Sequence, residues 1–109
     1  MSPTPTPRPG TDAVFAALGD PTRRHLVETL AAAPATATVL AKDLPMSRQA
    51  VAKHLAMLSA AELVATERRG RETRYTLRPE PLREVSRWVD AVGDEWTDRL
   101  SRLERSIQA

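Results

Sequence analysis

Apolar positions in this chain recur at helical spacing in several segments and alternate with polar ones in a single stretch. The longest pattern lies near the end. Leu82, Val85, Val89, Val92, Trp96, Leu100, Leu103 and Ile107 follow one another at intervals of three or four. At the ideal helical pitch they fall within an arc of roughly 80°. Trp88 flanks that stripe, and Arg83, Arg87, Asp90, Asp94, Asp98 and Arg102 form a solvated opposite side. The pattern predicts one long amphipathic helix over about 82–107, introduced by Pro79 and Pro81, with a seam close to that of a coiled coil.

Shorter helices are predicted upstream. The segment 12–18 has Asp12 as its cap, Val14, Phe15 and Leu18 on one side, and Gly19 as its stop. Asp20-Pro21 opens a second helix, with the acid at the cap, proline at the first helical position, and Leu26, Val27 and Leu30 facing inward. Arg23 and Arg24 oppose the dipole at its start and are expected to face solvent, a phosphate being the alternative partner. Pro34 ends that helix. A short third helix covers about 39–43, and Leu44-Pro45-Met46 makes a tight connection. Ser47 then caps a fourth helix that runs to about Ala60. Val51, Leu55 and Leu58 occupy one narrow arc of it, while Gln49, Ala52, Lys53 and Ala56 occupy the opposite arc. In 65–77, Thr73, Tyr75 and Leu77 alternate with Arg74 and Thr76 around a tip at Arg69-Gly70-Arg71, the signature of a two-stranded hairpin. Residues 1–10, with proline at 3, 5, 7 and 9, read as a disordered or extended tail ahead of one domain over 11–109.

Composition narrows the function. A chain of 109 residues makes one domain, and with aromatics at 4% its core must rest on Leu, Val and Ala. The absence of cysteine excludes disulfides, thiolate metal sites and thiol nucleophiles. No export pattern and no apolar run of membrane-spanning length occurs, so a cytoplasmic location with no membrane partner is expected. The net charge of +2 is unevenly placed. Arg48, Lys53, Arg68, Arg69, Arg71, Arg74 and Arg78 face only Glu62, Glu67 and Glu72 in the middle third, whereas the final third is net acidic. That asymmetry points to an anionic partner for the middle third. No nucleophile–base set, glycine-rich phosphate loop or metal-hydrolase motif is present, so no enzymatic activity and no cofactor are expected.

The order helix, tight turn, helix with a small-residue outer face, and basic hairpin is that of a winged helix-turn-helix: a mainly α fold with a small β-hairpin wing. A helix that enters the major groove needs an apolar stripe to anchor it and an outer face free of bulky aliphatics. Ser47, Arg48 and Gln49 lie at its amino end, where amides and dipole favour phosphate. Gln49 and Lys53 are suited to base edges, and Arg69, Arg71 and Arg74 to the backbone or minor groove.

On 14–30, 39–64 and 68–77 the chain resembles the ArsR/SmtB family of bacterial repressors. The set Leu40-Ala41, Leu44, Ser47, Val51, His54-Leu55, Leu58 and Leu63-Val64 carries the resemblance. It implies a homodimer built from the first and last helices, a recognition helix over 47–60, and a wing that touches DNA. The interface would use Val14, Phe15, Leu18, Val85, Trp88, Val89, Val92, Trp96, Leu100 and Leu103. The target would be a promoter inverted repeat in double-stranded DNA. His54 matches a family histidine and either touches phosphate or packs at the core edge. Trp88 and Trp96 serve core or dimer packing, or else line an effector pocket.

Three departures from the family pattern matter. Glu62 stands where glycine often closes the recognition helix, so an altered helix end is expected. Pro45 stands near another frequent glycine, which affects the shape of the turn. The family's cysteine metal site is impossible here, and its site on the last helix lacks histidine. His25 with Glu28 reads as an exposed helical pair rather than a metal site. The expectation is a non-metal transcriptional repressor whose small-molecule effector is unknown. The alternatives are a winged-helix module that binds protein and a metal sensor with an unrecognised site.

Overall fold

The structure is a computed structural model that describes residues 9–108. Its elements run α1 (Pro9–Leu18), α2 (Pro21–Ala32), β1 (Ala35–Thr36), α3 (Ala37–Ala41), α4 (Arg48–Ala60), β2 (Val64–Arg69), β3 (Glu72–Leu77) and α5 (Glu80–Gln108). The mainly α class with a β wing is as expected, and several local details differ.

α1 starts at Pro9, inside the segment expected to be a tail, because proline suits the first helical position. Asp12 therefore lies in the first turn, where its carboxylate meets the helix dipole, and is not the cap. The rest of the expected tail, 1–8, lies outside the described residues. Asp20 caps α2 as expected, accepting from the backbone amides of Thr22 at 2.8 Å and Arg23 at 3.1 Å. α3 begins two residues earlier than its pattern indicates, because the Thr36 hydroxyl accepts from the Val39 amide and caps it. Ser47 caps α4 through its hydroxyl, 3.1 Å from the Ala50 amide.

The sheet has three strands, not two, in the antiparallel order β1-β3-β2. β1 pairs Ala35 with Tyr75 and Thr36 with Arg74, which ties the end of the α2–α3 connection to the wing. A two-residue strand has no periodicity to read, so the pattern alone does not reveal it. In the hairpin, Arg69 pairs with Glu72, leaving Gly70 and Arg71 as a two-residue turn. Gly70 has φ 61°, the left-handed region that hairpin turns demand.

Leu26, Val51, Leu55, Leu58 and Leu63 are wholly buried, with Val14, Leu30, Leu40 and Val64 nearly so. This core of Leu and Val joins α1, α2, α3 and α4 to the base of the wing. Its aromatic neighbours stay at the edge, where Phe15 and Trp88 meet edge-on with ring centroids 5.5 Å apart and fasten α1 to α5.

The end of α4 differs most from expectation. Glu62 does adopt the left-handed conformation, with φ 60°. Its amide donates to Ser59 O, and the Leu63 amide donates to Leu58 O, both at 2.9 Å, which is the paired closure of a Schellman motif. A left-handed non-glycine residue costs roughly 1–2 kcal/mol. Burying Leu63 against Leu58 contributes about 1.5–3 kcal/mol, so the closure survives without glycine.

Candidate nucleic-acid interface

α4 is held from beneath by Val51, Leu55 and Leu58, and this fixes which side it shows to solvent. Ser47, Arg48, Gln49 and Lys53 are exposed, Ala52 is half-buried, and Ala56 is exposed. The amino end of the helix, with its free amides and positive dipole, therefore sits among two cationic side chains and an amide, with small residues behind them.

A groove of about 400 Å³ runs beside that end. It is lined from α4 by Arg48, Gln49 and Ala52, from the wing by Thr73 and Tyr75, and from the β1–α3 corner by Thr36 and Thr38, with Arg71 and Glu72 at the hairpin tip. β1 makes this possible, since its pairing with β3 brings the Thr36 corner beside the wing. The sequence pattern by itself does not mark Thr36, Thr38, Thr73 and Tyr75 as site residues. The strand alternation placed Thr73 and Tyr75 on one face, but what that face looks onto depends on the tertiary packing.

Of the wing arginines, Arg71 is exposed at the tip beside the groove. Arg69 and Arg74 are exposed on the strand face opposite to that of Thr73 and Tyr75. The Arg69 Nε lies 3.2 Å from Glu67 Oε1.

His54 takes the core-edge position. It is half-buried, with Nδ1 3.4 Å from Nη1 of Arg23. Arg23 itself is not simply solvated. Its Nε donates to Ala17 O at 2.6 Å, its Nη2 donates to Ala16 O at 3.2 Å, and its Nη1 approaches Met57 Sδ. Arg24 donates to Leu18 O at 2.6 Å. Both arginines are misplaced for the dipole of α2 but well placed for α1, whose last carbonyls have no helical partners. For Arg23, which is half-buried, the expectation that it faces solvent is corrected on that ground, whereas Arg24 is exposed as expected while also bonding to α1.

The residues expected at a dimer interface divide. Val14 is 1% exposed and belongs to the chain's own core, so it has no surface to offer a partner. Leu18 and Val85 are half-buried against the same core, and Trp88 is half-buried against Phe15. Farther along α5, no element among the described residues covers the stripe. Val89, Trp96, Leu100 and Leu103 are exposed, Trp96 by 56%, and Val92 is half-buried. At 1.5 Å per residue α5 is about 43 Å long, so the ten-residue α1 covers only its beginning.

Among the described residues no group of three or more His, Cys, Asp or Glu is placed to hold a metal ion, and no helix is long and apolar enough to cross a membrane.

Residues 18–67 match the family of helix-turn-helix domains. The chain is 40% identical to the HTH-type transcriptional regulator Rv2034 of Mycobacterium tuberculosis (strain ATCC 25618 / H37Rv), over 90% of its own length and 89% of that protein's. It is 32% identical to the transcriptional repressor SdpR of Bacillus subtilis (strain 168), covering 70% of this chain and 84% of that one. Among solved structures it resembles an ArsR-like transcriptional regulator from Rhodococcus sp. RHA1, with TM-score 0.76 and 41% identity over 88% of this chain and 91% of that one. Fold, helix-turn-helix unit and relatives agree that the chain belongs to the ArsR family of winged helix-turn-helix transcriptional regulators, DNA-binding proteins rather than enzymes.

Proposed function

We propose that this regulator is a homodimeric repressor that binds an imperfect inverted repeat in the promoter of its own or a neighbouring operon. The observation that carries the DNA-binding face is the groove: it joins the exposed amino end of α4 to the wing, so one continuous surface meets both the major groove and the flanking backbone. Arg48, Gln49 and Lys53 read or approach base edges, the Ser47 end of α4 meets a phosphate, and Arg71 reaches the backbone or minor groove. His54, half-buried against Arg23, positions α4 and is not among the contacting groups.

The dimer is supported by the uncovered stripe on α5. Phe15 and Leu18, with Val85, Trp88, Val89, Val92, Trp96, Leu100 and Leu103, form an apolar band long enough for a second α5 to lie against. Pairing there sets two α4 helices about 34 Å apart, one turn of DNA, and calls for a two-fold target. Repression is favoured by the likeness to a repressor and follows physically if the bound dimer occupies the polymerase site. The expected location is the cytoplasm, where promoter DNA is found.

The test is fluorescence anisotropy of the purified chain on its own promoter DNA and on a scrambled duplex, over a range of salt. Tight binding that favours the promoter and falls steeply with salt supports the reading, because each phosphate contact releases counterions. Equal, weak, salt-insensitive binding to both duplexes would sink it and leave the apolar face of α5 as a site for another protein.

A further inference from the structure

The hairpin register divides the wing arginines into two chemically different groups. Thr66 pairs with Tyr75 and Arg68 with Thr73, and these residues share one face of β2 and β3. Glu67 pairs with Arg74 and Arg69 with Glu72, and these share the other. The first face is the one turned to the groove, because Thr73 and Tyr75 both line it beside Arg48 and Gln49. Arg68, directly opposite Thr73, continues that face toward the tip. Its Nε donates to Gly70 O at 3.2 Å, which holds the guanidinium beside the turn, and its cross-strand neighbour is a threonine, not an acid.

The other face alternates in charge. Arg69 bonds to Glu67 along its own strand and stands opposite Glu72, and Arg74 stands opposite Glu67. Directly opposed side chains on a sheet face lie about 5 Å apart at Cβ. Two cations and two anions at that spacing leave a phosphate almost no net field to follow. Each exposed pair contributes little to stability, yet the cancellation still removes the attraction for DNA.

We propose that Arg68, together with Arg71 at the tip, is the wing's contact to the DNA backbone, and that Arg69 and Arg74 belong to a charge-neutral lattice that braces the hairpin. This assignment rests on the reading of α4 and the wing as the DNA face. It also explains how a wing rich in arginine keeps a single DNA-facing side. Glu72 reaches the groove rim from the lattice face and marks the boundary between the two.

The experiment is salt-dependent anisotropy of the full chain on its own promoter duplex and on a scrambled duplex, comparing wild type with Arg68→Ala, Arg68→Lys and the fourfold, charge-neutral variant Glu67→Gln/Arg69→Gln/Glu72→Gln/Arg74→Gln. Arg68→Ala is expected to weaken binding to both duplexes about tenfold near ~0.1 M salt and to lower the salt slope by about 0.9. Arg68→Lys, which keeps the charge, should retain the slope, and this separates lost contact from lost fold. The fourfold variant should lose less than about threefold, since it removes the paired cations together with the anions that cancel them. A fourfold variant weaker than Arg68→Ala, or an Arg68→Ala variant with the wild-type slope, overturns the assignment. Salt-insensitive binding by the wild type itself would instead strike at the DNA-binding reading, and the wing assignment would fall with it.

Discussion

Glu62 is the residue at which local preference and global packing disagree most openly. Its left-handed backbone is imposed by the closure of α4 and by burial of Leu63, and among the described residues the exposed side chain makes no hydrogen bond or ion pair that offsets the strain. Glu62→Gly should therefore stabilise the fold by about 1 kcal/mol, raising the melting temperature by roughly 4–8 °C for a domain of this size. Thermal unfolding followed by circular dichroism would decide it, and an unchanged or lower midpoint would contradict the strain argument. Asp20 illustrates the opposite case, a residue whose local chemistry agrees with its place. The hydrogen bond from the Arg23 amide does most to hold its carboxyl below the ordinary carboxylate value; desolvation opposes it, and the Thr22 amide and the nearby Arg23 and His54 side chains add smaller lowering effects. Because the folded value is lowered, its contribution is fully present above the unfolded carboxylate pKa and is lost as pH falls through the folded one. Asp20→Asn keeps a capping side chain but cannot titrate. Its melting temperature should fall less steeply with acid than that of the wild type, and parallel acid limbs would show that Asp20 does not carry this dependence.

At the scale of elements, α4 does two tasks with two faces. Leu55 and its neighbours anchor it, and truncating that wholly buried leucine to alanine should cost about 2–5 kcal/mol, measurable by urea denaturation. On the outer face, Gln49 stands at the amino end beside the groove, where an amide can pair with a base edge. Gln49→Ala should shift the preferred bases at a position of each half-site and leave binding to scrambled DNA near its wild-type strength. A preference profile unchanged from wild type, read by selection from a randomised duplex pool, would remove Gln49 from the reading face. The anchoring stripe was legible as a helical period, and so was the outer arc. The neighbours of the outer arc were not, because the groove depends on β1, two residues whose pairing with β3 leaves no periodic trace.

Across the whole molecule, the imbalance is between a short α1 and a long α5. Their contact through Phe15 and Trp88 secures the beginning of α5 and leaves the remainder of its apolar stripe open to solvent. The molecule measures 69 × 26 × 20 Å, an elongation that comes from this helix. A chain that exposes large side chains in line along one helix is completed by a second copy in the proposed assembly. Trp96→Arg, on the most exposed tryptophan, should give a monomer that binds promoter DNA weakly. Sedimentation equilibrium checks the first half of that expectation, and a variant that remains dimeric would refute pairing through α5.

The sequence by itself determined the helices with strong caps, the core stripe of α4, the hairpin and the amphipathic length of α5. Each rests on interactions between residues a few positions apart: Asp20 and Ser47 with amides two or three residues on, side chains with those one helical turn away, and glycine at the hairpin tip. The winged helix-turn-helix order and the basic middle third pointed to DNA as partner for the same reason, since charge and element order are properties of the chain. Only the tertiary structure decided which surfaces those elements share. It placed Val14 in the core and not on the expected dimer interface, turned Arg23 and Arg24 to the last carbonyls of α1, and added β1 to the sheet. It also held Glu62 in a conformation that its own preferences disfavour. These outcomes depend on groups far apart in sequence competing for one buried volume and one set of backbone partners, and no local pattern encodes how that competition ends.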